Sequence, residues 1–403
     1  MSSVNLRKKE EIPKIAQNGT ETAILRAIRD GAPISRSGIA QQTGMQLAAV
    51  SRSVTRLIRA GVLLETPLAD ANGPRRKRGL SLNPAAGHCL SVAYDASGIE
   101  GVVVDAAYGV RHKESVAAPI GAAPRQEKVD RIATFVEGLR ARVPSSIGDC
   151  LALAAVDPGV VDETTGRVLF SSTMDDWRDV PIVEILRDRL GLPILLLQTS
   201  TATIRAVDHF ELRGAARNAL YIEYSEGVGC GMKLGGQVVA GRLNLAGELG
   251  HTRVTDDPAP CRCGAVGCLE AVAALPALAR KVRAAIEEGS HTSLTERETV
   301  SGADVLAAAA AGDRLASRIV EEAFGYVGRA VGGLVNVLAP EIVVIDSAVA
   351  AAGEAAVGAL LRAIRSNTLP THGERLEVRI SALASHTKSL GGAAAVLDRC
   401  LQA

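Results

Sequence analysis

Aromatic residues are scarce in this sequence: Phe, Trp and Tyr together make up 2% of 403 residues, and there is one Trp. The core must therefore be aliphatic, built from Ala, Val, Leu and Ile. The same scarcity argues against a single-stranded nucleic acid partner, because bases are held there by stacking on aromatic rings. Long uncharged apolar runs are also missing, and none reaches the ~20 residues a membrane helix needs. Met1 to Glu11 is polar and charged, unlike a secretory signal. These absences predict a cytoplasmic protein without a membrane partner. With 47% hydrophobic and 22% charged residues, the chain has core material for two or three domains.

Net charge is nearly absent too, at +1, but it is unevenly spread. Residues 1–84 hold 14 Lys and Arg against 6 Asp and Glu, whereas the remaining 319 hold 31 against 38. A basic head on an acidic body points to a polyanion as the partner of the head. Within the head, Ile24, Leu25 and Ile28 share one face of a helix between Thr20 and Asp30. Ser35 caps a second helix that runs to about Thr43, where Gly44 breaks it. A third helix spans about Gln46 to Ala60, with Leu47, Val50, Val54 and Leu57 on its apolar seam and Gly61 at its C-terminal cap.

Val62 to Glu65 and Gly79 to Leu82 read as strands flanking a loop that contains Arg75, Arg76, Lys77 and Arg78. Three helices and a hairpin make a winged helix-turn-helix. Gln46, Ser51, Arg52, Thr55 and Arg56 lie off the apolar seam and would meet base edges in the major groove of a double-stranded DNA operator. The basic run of the hairpin would sit on phosphates or enter the minor groove. The competing reading is a small helical dimerisation module with a solvated basic loop.

From Gly87 onward, strands alternate with helices, which predicts an α/β body. Leu90 to Asp95 and Gly101 to Asp105 form a hairpin, and Lys128 to Arg142 and Val180 to Leu190 form helices. Cys150 to Val156, Pro193 to Leu197, Ala219 to Tyr224, Gly229 to Leu234 and Glu341 to Ile345 are strands. His251, Cys261, Cys263 and Cys268 supply one imidazole and three thiolates, a set that suits a closed, structural Zn²⁺ site. Gly264 and Gly267 permit the tight turns such a loop needs. Unmetallated or redox-active thiols are the alternative.

Gly247-Glu248-x-Gly250-His251, nine residues, then Cys261-x-Cys263-Gly264-x-x-Gly267-Cys268-x-Glu270 resembles the signature of the ROK family of repressors and sugar kinases. Pro158-Gly159, the Trp177-Arg178-Asp179 segment and the Gly227-to-Gly231 loop are similar to further family motifs. The resemblance implies two actin-like, ribonuclease H-like lobes of the sugar-kinase type behind the winged head, with a ligand held between them. The implied domains are 1–84 for DNA binding, 85–205 with a returning helix 390–403 for the small lobe, and 206–389 for the large lobe. The large lobe would carry the zinc motif and a dimerisation surface.

ROK kinases carry an Asn-Asp pair whose Asp takes the proton from the attacking sugar hydroxyl. Here Thr199 and Ser200 stand at those positions, and a serine hydroxyl is far too weak a base. The phosphate loops depart as well, reading Asp95-Ala96-Ser97-Gly98 and Ser225-Glu226. No catalytic residue is therefore expected. The resemblance implies that Glu248, His251 and Glu270 bond sugar hydroxyls, with Thr173, Thr199 and Ser200 as the remaining effector contacts. The expected protein is a sugar- or sugar-phosphate-responsive regulator of carbohydrate metabolism, most simply a repressor, acting as a homodimer or homotetramer. A residual sugar kinase and a ligand-independent DNA-binding protein are the alternatives.

Overall fold

Asn18 opens the first helix, α1 (Gly19–Gly31), by accepting the backbone N–H of Glu21 at 3.0 Å. Ser35 does the same for α2 (Arg36–Thr43) through Gly38 at 3.1 Å, and Gly44 ends that helix at φ +69°. The third helix, α3 (Leu47–Arg59), buries Val50, Val54 and Leu57. Leu47 departs from the expected seam: at the first position of the helix it is 52% exposed. The structure, a computed structural model, describes residues 11–67 and 78–403. Strands β1 (Leu63–Pro67) and β2 (Arg78–Leu82) pair antiparallel as the wing. Ile24, Leu25, Ile28, Ile39, Val50, Val54, Leu57 and Leu80 close the core of the head, joined by Leu401 from the far end of the chain.

The chain divides into two compact units, one running to Ala206 and resuming over Lys388–Ala403, the other Val207–Thr387. In the first, β3 (His88–Tyr94), β4 (Gly98–Asp105) and β5 (Val110–Ala117) form an antiparallel meander. Helix α4 (Arg125–Ala141) leads to β6 (Cys150–Asp157), which pairs parallel to β3. Three short strands, β7 (Val160–Asp162), β8 (Arg167–Phe170) and β9 (Arg178–Val180), make a separate antiparallel sheet. Then follow α5 (Ile182–Leu190), β10 (Ile194–Gln198) parallel to β6, and α6 (Thr199–Ala206). The expected helix from Val180 is corrected here: Pro181 separates β9 from α5, and Val180 belongs to the strand.

The C-terminal helix (Thr387–Cys400) buries nearly its whole length in this first unit. Lys388 Nζ meets Asp95 Oδ2 at 3.1 Å at its start. Near its end, Asp398 accepts from Arg29 Nη1 and Tyr108 Oη, each at 2.8 Å. Ile15 N–H donates to Cys400 O at 2.7 Å. The head is thereby fastened to the last helix by both apolar and polar contacts.

The second unit repeats the plan. Strands β11 (Ala219–Tyr224), β12 (Val228–Leu234) and β13 (Gln237–Val238) form the meander. After the cysteine loop come α7 (Leu269–Ala273), α8 (Leu275–Glu287), α9 (Gly302–Ala310) and the long α10 (Arg314–Leu338). Strand β14 (Ile342–Ile345) pairs parallel to β11, then α11 (Gly353–Ser366) and α12 (Pro370–Gly373) lead to β15 (Glu377–Ile380). The sheet orders are β10-β6-β3-β4-β5 and β13-β12-β11-β14-β15, the same 3-2-1-4-5 arrangement read from opposite edges. Ser347–Ser366 has the length and apolarity of a membrane span, yet Ala356, Leu360 and Ile364 pack it into the core of this unit.

Candidate functional site: a basic helix face, a buried polar turn and a cysteine loop

The outward face of α3 carries Arg52, Thr55 and Arg59 exposed, with Ser51 half-buried beside them. Gln46 precedes the helix with its side chain free of any capping bond. Arg59 was not among the expected contacts, although its spacing from Arg52 and Thr55 puts it on the same face. Arg56 must be reassigned. Its Nε and Nη2 both donate to the carboxylate of Glu21, which is 2% exposed. That guanidinium neutralises a buried carboxylate and clamps α1 to α3, so it is committed to the fold rather than to bases. In the wing, Arg78 Nη1 donates to Glu65 Oε2 at 3.1 Å, and Arg36 holds the other oxygen. Arg75, Arg76 and Lys77 lie outside the described residues.

At the end of β10 the chain enters α6 with no break, so Thr199 and Ser200 form its first turn. Thr199 Oγ1 donates to Asp157 O at 3.1 Å. Ser200 N–H reaches Gln198 Oε1 at 3.0 Å, and its Oγ donates to the same atom. Both side chains are buried with their hydroxyls bonded internally, which corrects the expectation that they present them to a ligand. Thr173 is half-buried and pairs with Ser171 Oγ at 3.2 Å. Its loop is held by Lys128, whose fully buried Nζ donates to the carbonyls of Ala123 and Asp175. Burial lowers the Lys128 pKa. Trp177 Nε1 donates to Asp157 Oδ2 at 2.8 Å, and burial still holds that carboxyl above its ordinary range.

The first glycine loop is closed by its own side chains. Asp95 Oδ1 accepts from Ser97 N–H at 2.9 Å and from Gly98 N–H at 3.2 Å. Burial pushes its pKa up, but Lys388 and Ser97 outweigh that and hold it below the usual range. An Asp engaged in this way caps a turn and offers nothing to a phosphate.

In the second unit, the ligand atoms of His251, Cys261, Cys263 and Cys268 all lie within 4.8 Å of one another. His251 Nδ1 is 3.5 Å from Cys261 Sγ, and Cys263 Sγ is 3.9 Å from Cys268 Sγ. Gly267, at φ +70°, would put a Cβ 2.3 Å from Thr255 O, so the loop closes only with glycine there. The cluster could hold a metal ion. The other nitrogen, His251 Nε2, is 3.7 Å from Glu248 Oε2, and burial raises the Glu248 pKa. Glu270, in the first turn of α7, accepts from Arg262 Nη2 at 3.0 Å. Of the four remaining cysteines, Cys89, Cys230 and Cys400 are buried and Cys150 is half-buried; burial pushes the thiols of Cys230 and Cys400 up to about 12 and that of Cys150 to about 11.

A winged helical head, two lobes of the duplicated 3-2-1-4-5 plan and a His-Cys₃ loop together define a DNA-binding module on a sugar-kinase-type, actin-like body. Residues 17–63 match the winged helix-turn-helix DNA-binding family, and residues 89–399 match the ROK family. The chain belongs to the ROK family. It is 27% identical to a putative xylose repressor of Caldicellulosiruptor sp. (strain Rt8B.4), over 94% of this chain and 95% of that one. It is 31% identical to a glucokinase of Halalkalibacterium halodurans over 61% of this chain and 76% of that one. Its fold is similar to that of a ROK family transcriptional regulator, a homologue of the Escherichia coli Mlc protein, with a TM-score of 0.81, 24% identity and coverage of 95% and 97%.

Proposed function

We propose that this protein is a transcriptional repressor that binds a double-stranded operator through its winged head and releases it when a sugar binds the ROK body. The carrying observation is Ser200: where ROK kinases carry the proton-accepting Asp, a buried serine hydroxyl donates to Gln198. A body so altered loses the base that phosphoryl transfer to a sugar needs. The full-length match to a putative xylose repressor, head and body alike, supports the same reading.

In this reading α3 enters the major groove with Gln46, Ser51, Arg52, Thr55 and Arg59, while the wing contacts the backbone. Glu248, His251 and Glu270 contact the effector. The body joins copies into a homodimer or homotetramer matched to a palindromic operator, and the protein works in the cytoplasm. A sugar can lower operator affinity only by binding the DNA-free conformation more tightly than the bound one.

The metal is structural Zn²⁺. A tetrahedral His-Cys₃ site with ordinary bond lengths has ligand–ligand edges of about 3.5–3.8 Å, and the His251–Cys261 and Cys263–Cys268 separations, 3.5 and 3.9 Å, lie close to that. Four protein ligands leave no open position, so zinc would order the loop rather than act in catalysis. With Nδ1 on the metal, His251 keeps Nε2 for Glu248 or a sugar hydroxyl.

The test is to recover genomic fragments retained by the purified protein, then to titrate the enriched site by fluorescence anisotropy with D-xylose and D-glucose. Release by a sugar, no phosphate transfer from ATP, and one zinc per chain lost in Cys261→Ser are the expected results. ATP-dependent phosphorylation of either sugar would restore the kinase reading. Operator binding unmoved by any sugar would favour a ligand-independent DNA-binding protein.

A further inference from the structure

Arg262 stands between two of the clustered cysteines, Cys261 and Cys263. The turn around it is tight: Gly264 N–H donates to Cys261 O at 2.9 Å, and Cys261 N–H donates to Ala265 O at 2.8 Å. The guanidinium leaves this turn and spends a single nitrogen, Nη2, on two acceptors. One is Glu226 O at 2.9 Å and the other is Glu270 Oε1 at 3.0 Å. Glu226 belongs to the glycine loop between β11 and β12, and that loop presses on the same carboxylate. A Cβ on Gly227 would lie 2.6 Å from Glu270 Oε2.

Three segments thus converge on one side chain: the cysteine turn, the glycine loop and the start of α7. The Glu270 side chain is only 13% exposed, whereas Arg262 is 40% exposed. A carboxylate on a flexible side chain binds a hydroxyl well only if its orientation is already fixed, since ordering it on binding costs free energy. Here the orientation is fixed by Arg262, whose own position depends on the turn that the cysteines anchor.

We propose that Arg262 is a positioning residue for the effector, holding the Glu270 carboxylate ready for a sugar hydroxyl and tying its placement to the ordered cysteine loop. The inference rests on the sugar-responsive reading above.

The experiment is calorimetry on the full, zinc-loaded chain with D-xylose, D-glucose and glucose 6-phosphate, for wild type, Arg262→Gln and Arg262→Lys. Removing a charge-assisted bond of this kind predicts a loss of about ten-fold or more in sugar affinity for Arg262→Gln. Arg262→Lys recovers part of it, because an ammonium can still donate to both acceptors. Zinc content per chain stays the same in all three, which a role confined to folding the loop would not allow. Wild-type affinity in Arg262→Gln, or loss of its zinc, overturns the positioning role. Silence of the wild type toward every sugar overturns the sugar-responsive reading itself, and the inference with it.

Discussion

At the scale of single residues, the sequence shows which chemistry is available but not where it is spent. Arg56 and Arg52 look alike along the helix, four residues apart and both off the apolar seam. The difference is Glu21, 35 positions earlier, which no local pattern connects to Arg56. Arg56→Ala leaves a buried carboxylate without its partner and should cost the head about 1–3 kcal/mol, discounted because Arg56 is partly exposed. Thermal unfolding of the variant measures that loss, and an unchanged midpoint would return Arg56 to the DNA-contact set. Asp95 permits a test by pH. Its folded pKa lies below the unfolded value, so its stabilisation is complete above the ordinary carboxylate range and is lost as pH falls through the folded pKa. Asp95→Asn should therefore cost about 1 kcal/mol at pH 7 and leave stability in strong acid unchanged. Denaturant titrations at both pH values check it.

At the scale of elements, strong local signals were legible and weak ones were not. The head declares itself because 3.6-residue periodicity, a side-chain cap at Ser35 and a left-handed Gly44 all agree. Strands β7, β8 and β9 run only three or four residues each, too short for any alternation to register. Helix α6 escapes notice because it begins at the residue after β10, in a Thr-rich stretch with poor helix propensity. What fixes α6 is tertiary: it lies so close to the C-terminal helix that a Cβ on Gly391 would fall 1.7 Å from Ala202 O. Gly391→Ala should force the two helices apart and destabilise the first unit by about 1–3 kcal/mol or more. A variant as stable as wild type on thermal unfolding would show that this approach is looser than described.

At the scale of the whole molecule, the duplicated 3-2-1-4-5 sheet plan lies in topology and leaves no repeated string of residues. The resemblance of the Gly247–Glu270 signature, rather than periodicity, made the two lobes legible. The cysteine loop was legible for a similar reason, since four ligands within eighteen residues need little tertiary help to meet. The docking of the head was not legible, because it joins Arg29 and Tyr108 to Asp398 at separations of 369 and 290 residues. Asp398→Ala removes the acceptor they share. It should speed hydrogen exchange of the α1 amides around Ile24 and Ile28 by about ten-fold, as expected if about 1.4 kcal/mol of docking is lost. Exchange at the wild-type rate would mean that Leu401 and the apolar contacts fasten the head alone.

The proposed function is that of a DNA-binding head joined to a ROK body that senses sugar without phosphorylating it. Its most direct test is operator affinity measured by fluorescence anisotropy on the recovered site, with and without saturating D-xylose or D-glucose, in the absence of ATP. Tight, salt-sensitive binding is expected, weakened ten-fold or more by at least one of these sugars. Operator binding that no sugar weakens without ATP, but that weakens once ATP and sugar are supplied together, would contradict it and mark the body as a working kinase.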